Sequence, residues 1–367
     1  APHDLRRPFK RAAISDQQRR RELSLQRQAQ HRRDAQHQAR CLASFLNPHS
    51  EPEPEPEPED SPKELDVRHA SKLKGAEARK WFARQLMLPE WMIDVPDQLP
   101  QDWYVFARPA GKRCFVVSSN GTTADQTYYV IDMVCWREYS LYDCTAEFRF
   151  FWLSSKLAET GACDPPSQYH RYRFSPVPVY NCDQAGLSAA YTGAVPYVKD
   201  GLLFYNKYDL FFCSVDNAGN APLALVWKDE NCSQYVIDTD SKGQVPSQQQ
   251  VVLELQDNGN LSTSDDPPVV FGCLDQAFIE QAESRSGNLL RFAIGDGGLS
   301  FVDGKLEKAD LHYLGKSNRA RAFADSYSKV MFQYMARHSP LRIDDLLASI
   351  NSLSDQENKP SDVEMVG

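Results

Sequence analysis

A run of alternating Glu and Pro, Glu51–Asp60, separates a basic segment from the rest of the chain. Proline stiffens such a run toward polyproline II, and repulsion among the carboxylates extends it further. We therefore expect residues 47–64 to form an extended linker. It would join an arm, residues 1–46, to a body that begins near residue 65, and it would let the arm engage a large partner without blocking the body.

The arm is strongly basic although the chain as a whole is acidic. Residues 1–40 hold eleven Arg or Lys and four acidic residues, whereas the net charge of the chain is −9. Ser15 can cap one long helix here, with Asp16 in its first turn. Its few apolar residues predict disorder when the arm is free and a helix when it is bound. A nucleic-acid contact and an acidic receptor both fit this charge, but the helix lacks the large apolar face that a membrane surface requires.

The composition predicts reduced cysteines, no metal site and a hydrophobic core. Hydrophobic residues make up 41% of the chain, and no run of about 18 apolar residues exists, so we expect no membrane span. The nine cysteines are scattered without a CxxC pair, which is typical of reduced thiols in cytosol or nucleus. We accordingly expect no metal and no cofactor.

A cationic turn stands between two predicted strands. The runs Trp103–Ala107 and Cys114–Ser118 are rich in aromatic and β-branched residues and flank the segment Arg108–Arg113. Pro and Gly in that segment indicate a turn, and its cations would suit a phosphate. On these residues alone, a solvated surface turn with ordinary Lys and Arg is the favoured interpretation.

The remaining pattern predicts an α+β fold with a mainly antiparallel sheet. A helix is expected over residues 65–95, ending near Pro89 and including the helix-like run Leu86–Trp91. The body would span residues 65–272, and residues 273–367 would be a partly helical extension with a disordered tail. Its two amphipathic stretches are Arg319–Met335 and Leu341–Ile350. Further strands are predicted at Tyr128–Trp136, Phe148–Leu153, Gly201–Tyr205, Leu223–Trp227 and Gln234–Asp238, with a weaker one at Val251–Leu255.

Five motifs of the chain are long and specific: QLMLPEWMIDVP, PAGKR, TYYVIDMVCWREYSLYDC, EFRFFWLSSKL and DGLLFYNK. Through them the chain resembles the snurportin family from about Arg6 to Asp238. The resemblance implies a nuclear import adaptor that binds the 2,2,7-trimethylguanosine cap of spliceosomal snRNAs and shuttles between nucleus and cytoplasm. Its partners would be capped snRNA or snRNP, importin beta and an export receptor of the exportin class.

The arm, LRRPFKRAAISDQQRRRELSLQRQ, resembles the importin-beta-binding segment of that family. The resemblance implies an arginine-rich helix held by the acidic inner face of importin beta, through Arg–carboxylate pairs whose strength falls with salt. The implied importin-binding residues are Arg6, Arg7, Lys10, Arg11, Arg19, Arg20, Arg21, Arg27, Arg32, Arg33 and Arg40.

The resemblance also implies a body related to the nucleotidyltransferase domain of mRNA-capping enzymes, with the chemistry removed. Guanylyl transfer needs a lysine nucleophile, and Arg108 stands at that position. A guanidinium stays protonated and cannot attack phosphorus. Ala110 replaces the aspartate of the same motif, and Asp132 is a single carboxylate, too little for a metal site. Asp200 keeps the acid of the DGLLF strand. We therefore expect that the protein is not an enzyme.

A cap base methylated at N7 is cationic and flat, so an indole face is a suitable platform for it. The resemblance implies that Trp227 stacks on the base and that Trp91 contacts its methylated edge, with Lys228 as a weaker phosphate contact. Trp136 and Trp152 are expected in the core. The implied cap-binding residues are Leu88, Pro89, Trp91, Lys112, Arg113, Cys114, Ser154, Ser155, Lys156 and Trp227.

Two departures from the family keep other functions open. Pro89 stands where the family has a serine, and only Asn120–Thr127 bridges the hairpin to the next strand, without the family's phosphate-binding lysine. One alternative is an active guanylyltransferase-like enzyme, which Arg108 opposes. The other is an importin-binding protein whose cap pocket is lost.

Overall fold

The computed structural model describes most of the chain as seven helices and fourteen strands. Residues 17–45, 87–111, 127–136, 139–168, 171–210, 221–240, 242–302, 305–317 and 323–357 are described. The helices of these ranges are α1 (Gln17–Phe45), α2 (Leu99–Asp102), α3 (Ala146–Glu159), α4 (Gln184–Thr192), α5 (Gln276–Gln281), α6 (Tyr327–His338) and α7 (Ile343–Glu357).

The strands form two five-stranded sheets and two small ones. The first sheet has the order β1-β9-β8-β2-β7 and the second the order β12-β11-β10-β13-β14, while β3 pairs with β6 and β4 with β5. Their bounds are β1 (Pro89–Trp91), β2 (Trp103–Pro109), β3 (Thr127–Val130), β4 (Cys135–Trp136), β5 (Tyr139–Ser140), β6 (Arg173–Pro176), β7 (Tyr180–Asn181), β8 (Lys199–Asn206), β9 (Ala221–Trp227), β10 (Gln250–Leu255), β11 (Asn260–Ser262), β12 (Val270–Cys273), β13 (Leu289–Val302) and β14 (Lys305–Lys316).

The first sheet separates two clusters of buried side chains. Strand β1 runs parallel to β9, and the other pairs of the sheet are antiparallel. Because side chains alternate along a strand, Leu225 and Trp227 of β9 enter one cluster, while Ala224 and Val226 enter the other. This mixed, mainly antiparallel architecture agrees with the α+β expectation.

The expected boundary at residue 272 is wrong, because it falls inside the second sheet. Strand β10 lies before that residue and pairs with β13, which lies after it. The core cluster that contains Trp227 also contains Leu253, Phe292 and Met331, so side chains of both sheets pack together. Residues 273–357 therefore belong to the packed body and are not an appended extension.

Helix α3 replaces the expected strand Phe148–Leu153. Thr145 caps it by accepting a hydrogen bond from the Phe148 amide at 3.4 Å. Helical periodicity buries Phe150, Leu153 and Leu157 and leaves Phe151 65% exposed. Aromatic residues favour strands only weakly, and here the cap and the helical spacing prevail.

Of the other predicted strands and helices, some are confirmed and some are wrong. The predictions for β2, β8, β9 and β10 are confirmed, as are helices within the two amphipathic C-terminal stretches, seen as α6 and α7. The helix predicted for Leu86–Trp91 is wrong in its described part, because Pro89–Trp91 forms strand β1. Tyr128–Trp136 divides into β3 and β4, and Gln234–Asp238 is irregular. Predictions on Ser15, residues 47–64, Cys114–Ser118 and residues 358–367 lie outside the described residues.

The arm differs from the expectation of disorder. Residues 17–45 form α1, and its N-terminal half contacts the body at Glu90 and Trp91. None of the described helices combines the length and the apolar character that crossing a membrane would require.

An arginine of α3 ties three segments of the body together. Arg149 is fully buried, and its guanidinium donates two hydrogen bonds of 2.9 Å to the Asp132 carboxylate. It also donates to the carbonyls of Cys144 and Asp209, at 2.7 and 2.8 Å. Asp132, which the family resemblance relates to a metal-binding strand, is thus held in a structural ion pair.

Burial dominates the protonation of Asp209. Its carboxylate lies 3.6 Å from the Arg149 guanidinium and has no exposed surface. Desolvation raises the pKa of Asp209 to about 7, although the Arg149 charge acts in the opposite direction. Between the unfolded pKa near 4 and this value, the folded state binds a proton that the unfolded state lacks. The stabilisation that this proton provides is complete at lower pH and is lost as the pH rises through about 7.

We predict that Asp209→Asn removes this pH dependence. Relative to the variant, the wild-type free energy of unfolding should fall by about 1.4 kcal/mol per pH unit between roughly pH 5 and pH 7. Urea unfolding at several pH values measures the difference. Asp132→Asn is the contrast, because it deprives buried Arg149 of its partner and should destabilise at every pH by about 3 kcal/mol. Parallel stability curves for wild type and Asp209→Asn would contradict the assignment.

Candidate functional site

Four strands of the first sheet bring their ends to one edge. Strand β1 ends at Trp91, which is opposite Val226 near the end of β9. Pro109 at the end of β2 is opposite Lys199 at the start of β8. The residues that meet at this edge are Trp91, Arg108, Asp200 and Lys228, and we refer to them as the strand-end site.

Asp200 is the centre of the site's polar contacts. Its carboxylate accepts hydrogen bonds from Arg108, from Lys228 and, at 2.7 Å, from the Ser233 hydroxyl. Arg108 also donates to the Asp200 carbonyl at 3.0 Å. Burial tends to raise the pKa of Asp200, but the hydrogen bonds from Lys228 and Ser233 and the two neighbouring cations lower it overall. The carboxylate is therefore ionised at neutral pH, and two cations share it.

Trp91 supplies the aromatic part of the site. The Lys228 ammonium lies 5.6 Å from the centre of its ring, a cation–π distance. The Phe332 ring packs against the indole at 4.8 Å, and the Trp91 amide donates to the Ser328 hydroxyl at 3.1 Å. Lys228 is only 9% exposed, and desolvation lowers its pKa. A half-buried indole thus lies beside a largely buried cation.

The backbone conformation at residue 201 requires the glycine that follows the aspartate in the DGLLF strand. Its φ is +97°, and a Cβ at this position would lie 2.5 Å from the Trp227 carbonyl. Its amide donates to the Cys232 carbonyl at 2.8 Å. Glycine lets β8 and β9 approach closely and so places Asp200 beside Lys228.

Some of the expected cap-binding residues lie together on the β1 segment. The Leu88 carbonyl accepts from the Ala221 amide at 2.6 Å, and Pro89 is opposite Ala221. Both are partly exposed, as is Trp91. The expected residues Lys112, Arg113 and Cys114 lie outside the described residues, which end here at Gly111.

Trp227 does not have the placement that stacking requires. Its side chain has no exposed surface, and its indole nitrogen donates to the Leu341 carbonyl at 2.9 Å. The Tyr191 ring lies 6.1 Å away on the same face of the sheet. A ligand could stack on this indole only if the segment around Leu341 moved away, so the expected role of Trp227 disagrees with this conformation.

The expected residues Ser154, Ser155 and Lys156 lie on α3, and Lys156 lines a different cleft. Lys156 pairs with Glu159 at 2.6 Å, and its ammonium lies 4.8 Å from the centre of the Trp152 ring. The expectation that Trp136 and Trp152 belong to the core is wrong, because both line this cleft of about 410 Å³. The lining residues are Trp136, Tyr139, Trp152, Lys156, Glu159 and Thr160.

The strand-end site suits binding better than chemistry. Two cations and one carboxylate leave it with a single net positive charge beside an aromatic ring, which fits a flat cationic base linked to phosphates. Arg108 cannot act as a nucleophile. Within the described ranges, no group of His, Cys, Asp and Glu side chains is arranged to hold a metal ion. Sequence reasoning missed Ser233, since a lone serine in an irregular segment carries no recognisable signal.

A comparison with protein families gives this edge a context. The family model described as Snurportin1, m3G cap-binding domain, matches residues 85–125 and 122–227. The match contains Trp91, Arg108 and Asp200 and ends one residue before Lys228. Its two blocks meet inside the bridge Asn120–Thr127, which is the segment where the sequence departs from the family.

We predict that Asp200→Asn destabilises the body, because two largely buried cations lose their counter-charge. The free energy of unfolding should fall by about 2–4 kcal/mol. Ser233→Ala is the matched control, since it removes one hydrogen bond to the same carboxylate and should lower stability by about 1 kcal/mol. Urea unfolding compares the two variants. Equal stabilities would show that Asp200 is not what holds the cluster together.

Proposed function

This chain is a snurportin-like protein, since residues 85–227 match that family's cap-binding domain, and we propose that it binds the 2,2,7-trimethylguanosine cap of spliceosomal snRNAs as a nuclear import adaptor. The observation that carries the proposal is that this match includes three of the four residues of the strand-end site, Trp91, Arg108 and Asp200. At that site the partly exposed Trp91 indole lies beside Lys228, and Lys228 and Arg108 share the Asp200 carboxylate.

In the proposed complex, Trp91 contacts the methylated base. Methylation at N7 makes the base cationic, so contact with the indole adds a cation–π term to burial. The two methyl groups at N2 add apolar surface, which favours the trimethyl cap over the monomethyl cap beside an indole. The phosphates would lie toward Lys228 and Arg108, whose charges Asp200 only partly neutralises. Lys112, Arg113, Cys114, Ser154 and Ser155 remain proposed contacts, whereas Lys156 lines the cleft beside Trp152.

The second half of the proposal is the link to a receptor. The arginines of α1, together with Arg6, Arg7, Lys10 and Arg11 before it, would bind the acidic inner face of importin beta. Such Arg–carboxylate contacts should weaken as salt increases. An export receptor of the exportin class would return the protein to the cytoplasm, so the chain would shuttle between the two compartments.

Two other functions compete with this proposal. An importin-binding protein without a cap pocket is favoured by the buried position of Trp227 and by the short bridge Asn120–Thr127. A guanylyltransferase is disfavoured, because Arg108 occupies the nucleophile position and donates to Asp200. The matched family consists of binding adaptors, not enzymes. Incubation with labelled GTP and Mg²⁺ should therefore leave no label on the protein.

We predict that the cap contacts Trp91 and not Trp227. Trp91→Ala should weaken binding of a trimethylguanosine cap dinucleotide about 10- to 100-fold, the typical effect of removing an aromatic that stacks on a base. Trp227→Phe keeps a buried aromatic and should leave binding unchanged. Quenching of tryptophan fluorescence by the trimethyl cap, with the monomethyl cap as control, measures both variants.

The outcomes separate the alternatives. Selective quenching that persists in Trp227→Phe and is lost in Trp91→Ala supports cap binding at the strand-end site. Selective quenching that requires Trp227 would mean that the cap displaces the segment around Leu341. Equal or absent quenching by both caps would favour the importin-binding protein whose cap pocket is lost.

A further inference from the structure

Helix α1 packs on the body through a stripe of polar side chains. Gln17, Arg21 and Gln28 are each only 3% exposed, and Arg20 is 17% exposed. Their spacing of three, four and seven residues places them on one face of the helix. Leu23, by contrast, is 41% exposed. The contact between α1 and the body is therefore made by hydrogen bonds and charges and not by an apolar seam.

Two arginines of this stripe are largely withdrawn from solvent. Arg20 holds Glu90 through two hydrogen bonds of 2.9 and 2.8 Å, and Glu90 is 2% exposed. The Arg21 guanidinium lies 5.9 Å from the centre of the Trp103 ring. Burial lowers the pKa of Arg21 to about 10, so it remains charged at neutral pH.

Gln17 covers the outer edge of β1. Its amide nitrogen donates to the Trp91 carbonyl and to the Glu90 carboxylate, both at 2.8 Å, and its oxygen accepts from the Ile93 amide at 3.2 Å. Strand β1 is the last strand on this side of its sheet. An unpaired strand edge carries backbone groups that need partners, and Gln17 is the partner of two of them, the Trp91 carbonyl and the Ile93 amide.

The energetics of this contact favour reversibility. Removing an arginine and a glutamate from water carries a desolvation penalty that offsets most of their attraction. Since little apolar surface supports the contact, the net free energy that keeps α1 on the body is small compared with that of a core helix. A strongly acidic partner can therefore compete for the same arginines.

We propose that the body carries a docking site for its own arm, centred on Glu90, and that a receptor must displace α1 from it. The step that involves a receptor rests on the proposed function. Arg20 and Arg21 cannot contact Glu90 and Trp103 while they also bind carboxylates of another protein. The body and the receptor therefore compete, and the receptor binds the state in which α1 is released.

The docking itself is tested without any partner. Hydrogen exchange in the free, full-length protein should show protected amides in α1, because an undocked helix of this composition is marginal in water. Glu90→Gln keeps the shape of the side chain but removes the charge that Arg20 requires. We expect exchange in α1 to be at least about 10-fold faster in this variant, since breaking a buried pair costs several-fold more than one hydrogen bond.

Two further variants control this experiment. Gln17→Ala changes only the arm, so it cannot unfold the body, and it should also accelerate exchange in α1. Arg27→Ala removes one arginine from the exposed side of the same helix and should leave exchange unchanged. Fast exchange in wild-type α1, or equal exchange in wild type, Glu90→Gln and Gln17→Ala, would overturn the docking site.

Receptor binding tests the competition separately. Glu90→Gln leaves every arginine of the arm in place, so it should bind importin beta about 10-fold more tightly than wild type if docking masks the arm. Equal affinities would overturn the competition even if the docking itself is present. If neither protein binds importin beta while exchange shows a docked arm, the proposed function fails and the docking site stands.

Discussion

The pairing of β1 with β9 is the contact on which the rest of the site depends. The three residues of β1 add a parallel strand at the edge of an otherwise antiparallel sheet, and they place Trp91 beside Lys228. The outer edge of the same strand receives Gln17 of α1. Glu90, between the two, turns toward Arg20. One short strand thus connects the proposed cap contact with the arm. A shift of this strand would change both the position of Trp91 and the contact of α1 with Glu90.

Ion pairs occupy the carboxylates of Asp132 and Asp200. Asp200 accepts from Arg108 and Lys228, and Asp132 from Arg149. A carboxylate held by a guanidinium is a poor ligand for a metal ion, and an arginine is no nucleophile. At the strand-end site, the paired groups have a fixed arrangement and a small excess of positive charge beside the Trp91 indole. The proposed function uses these properties to recognise a charged base and its phosphates.

The sequence predicted elements whose signal is local and missed those that depend on distant partners. Strands β2, β8 and β9 follow from short runs of aliphatic and aromatic residues. Phe148–Leu153 has the same composition but forms a helix, and only the cap at Thr145 distinguishes it. The stacking role of Trp227 came from family resemblance alone, and a shift of one residue in register turns a strand side chain to the other face of the sheet. The contact of Arg20 with Glu90 spans 70 residues, beyond the reach of any periodicity.

The most direct test of the account is a crystal structure of the full chain with a trimethylguanosine cap dinucleotide. The account predicts the methylated base against Trp91 and the phosphates toward Lys228 and Arg108, with Trp227 still buried beneath Leu341. Density for the base in the cleft between Trp136 and Trp152, or stacked on Trp227 with the Leu341 segment displaced, would contradict it.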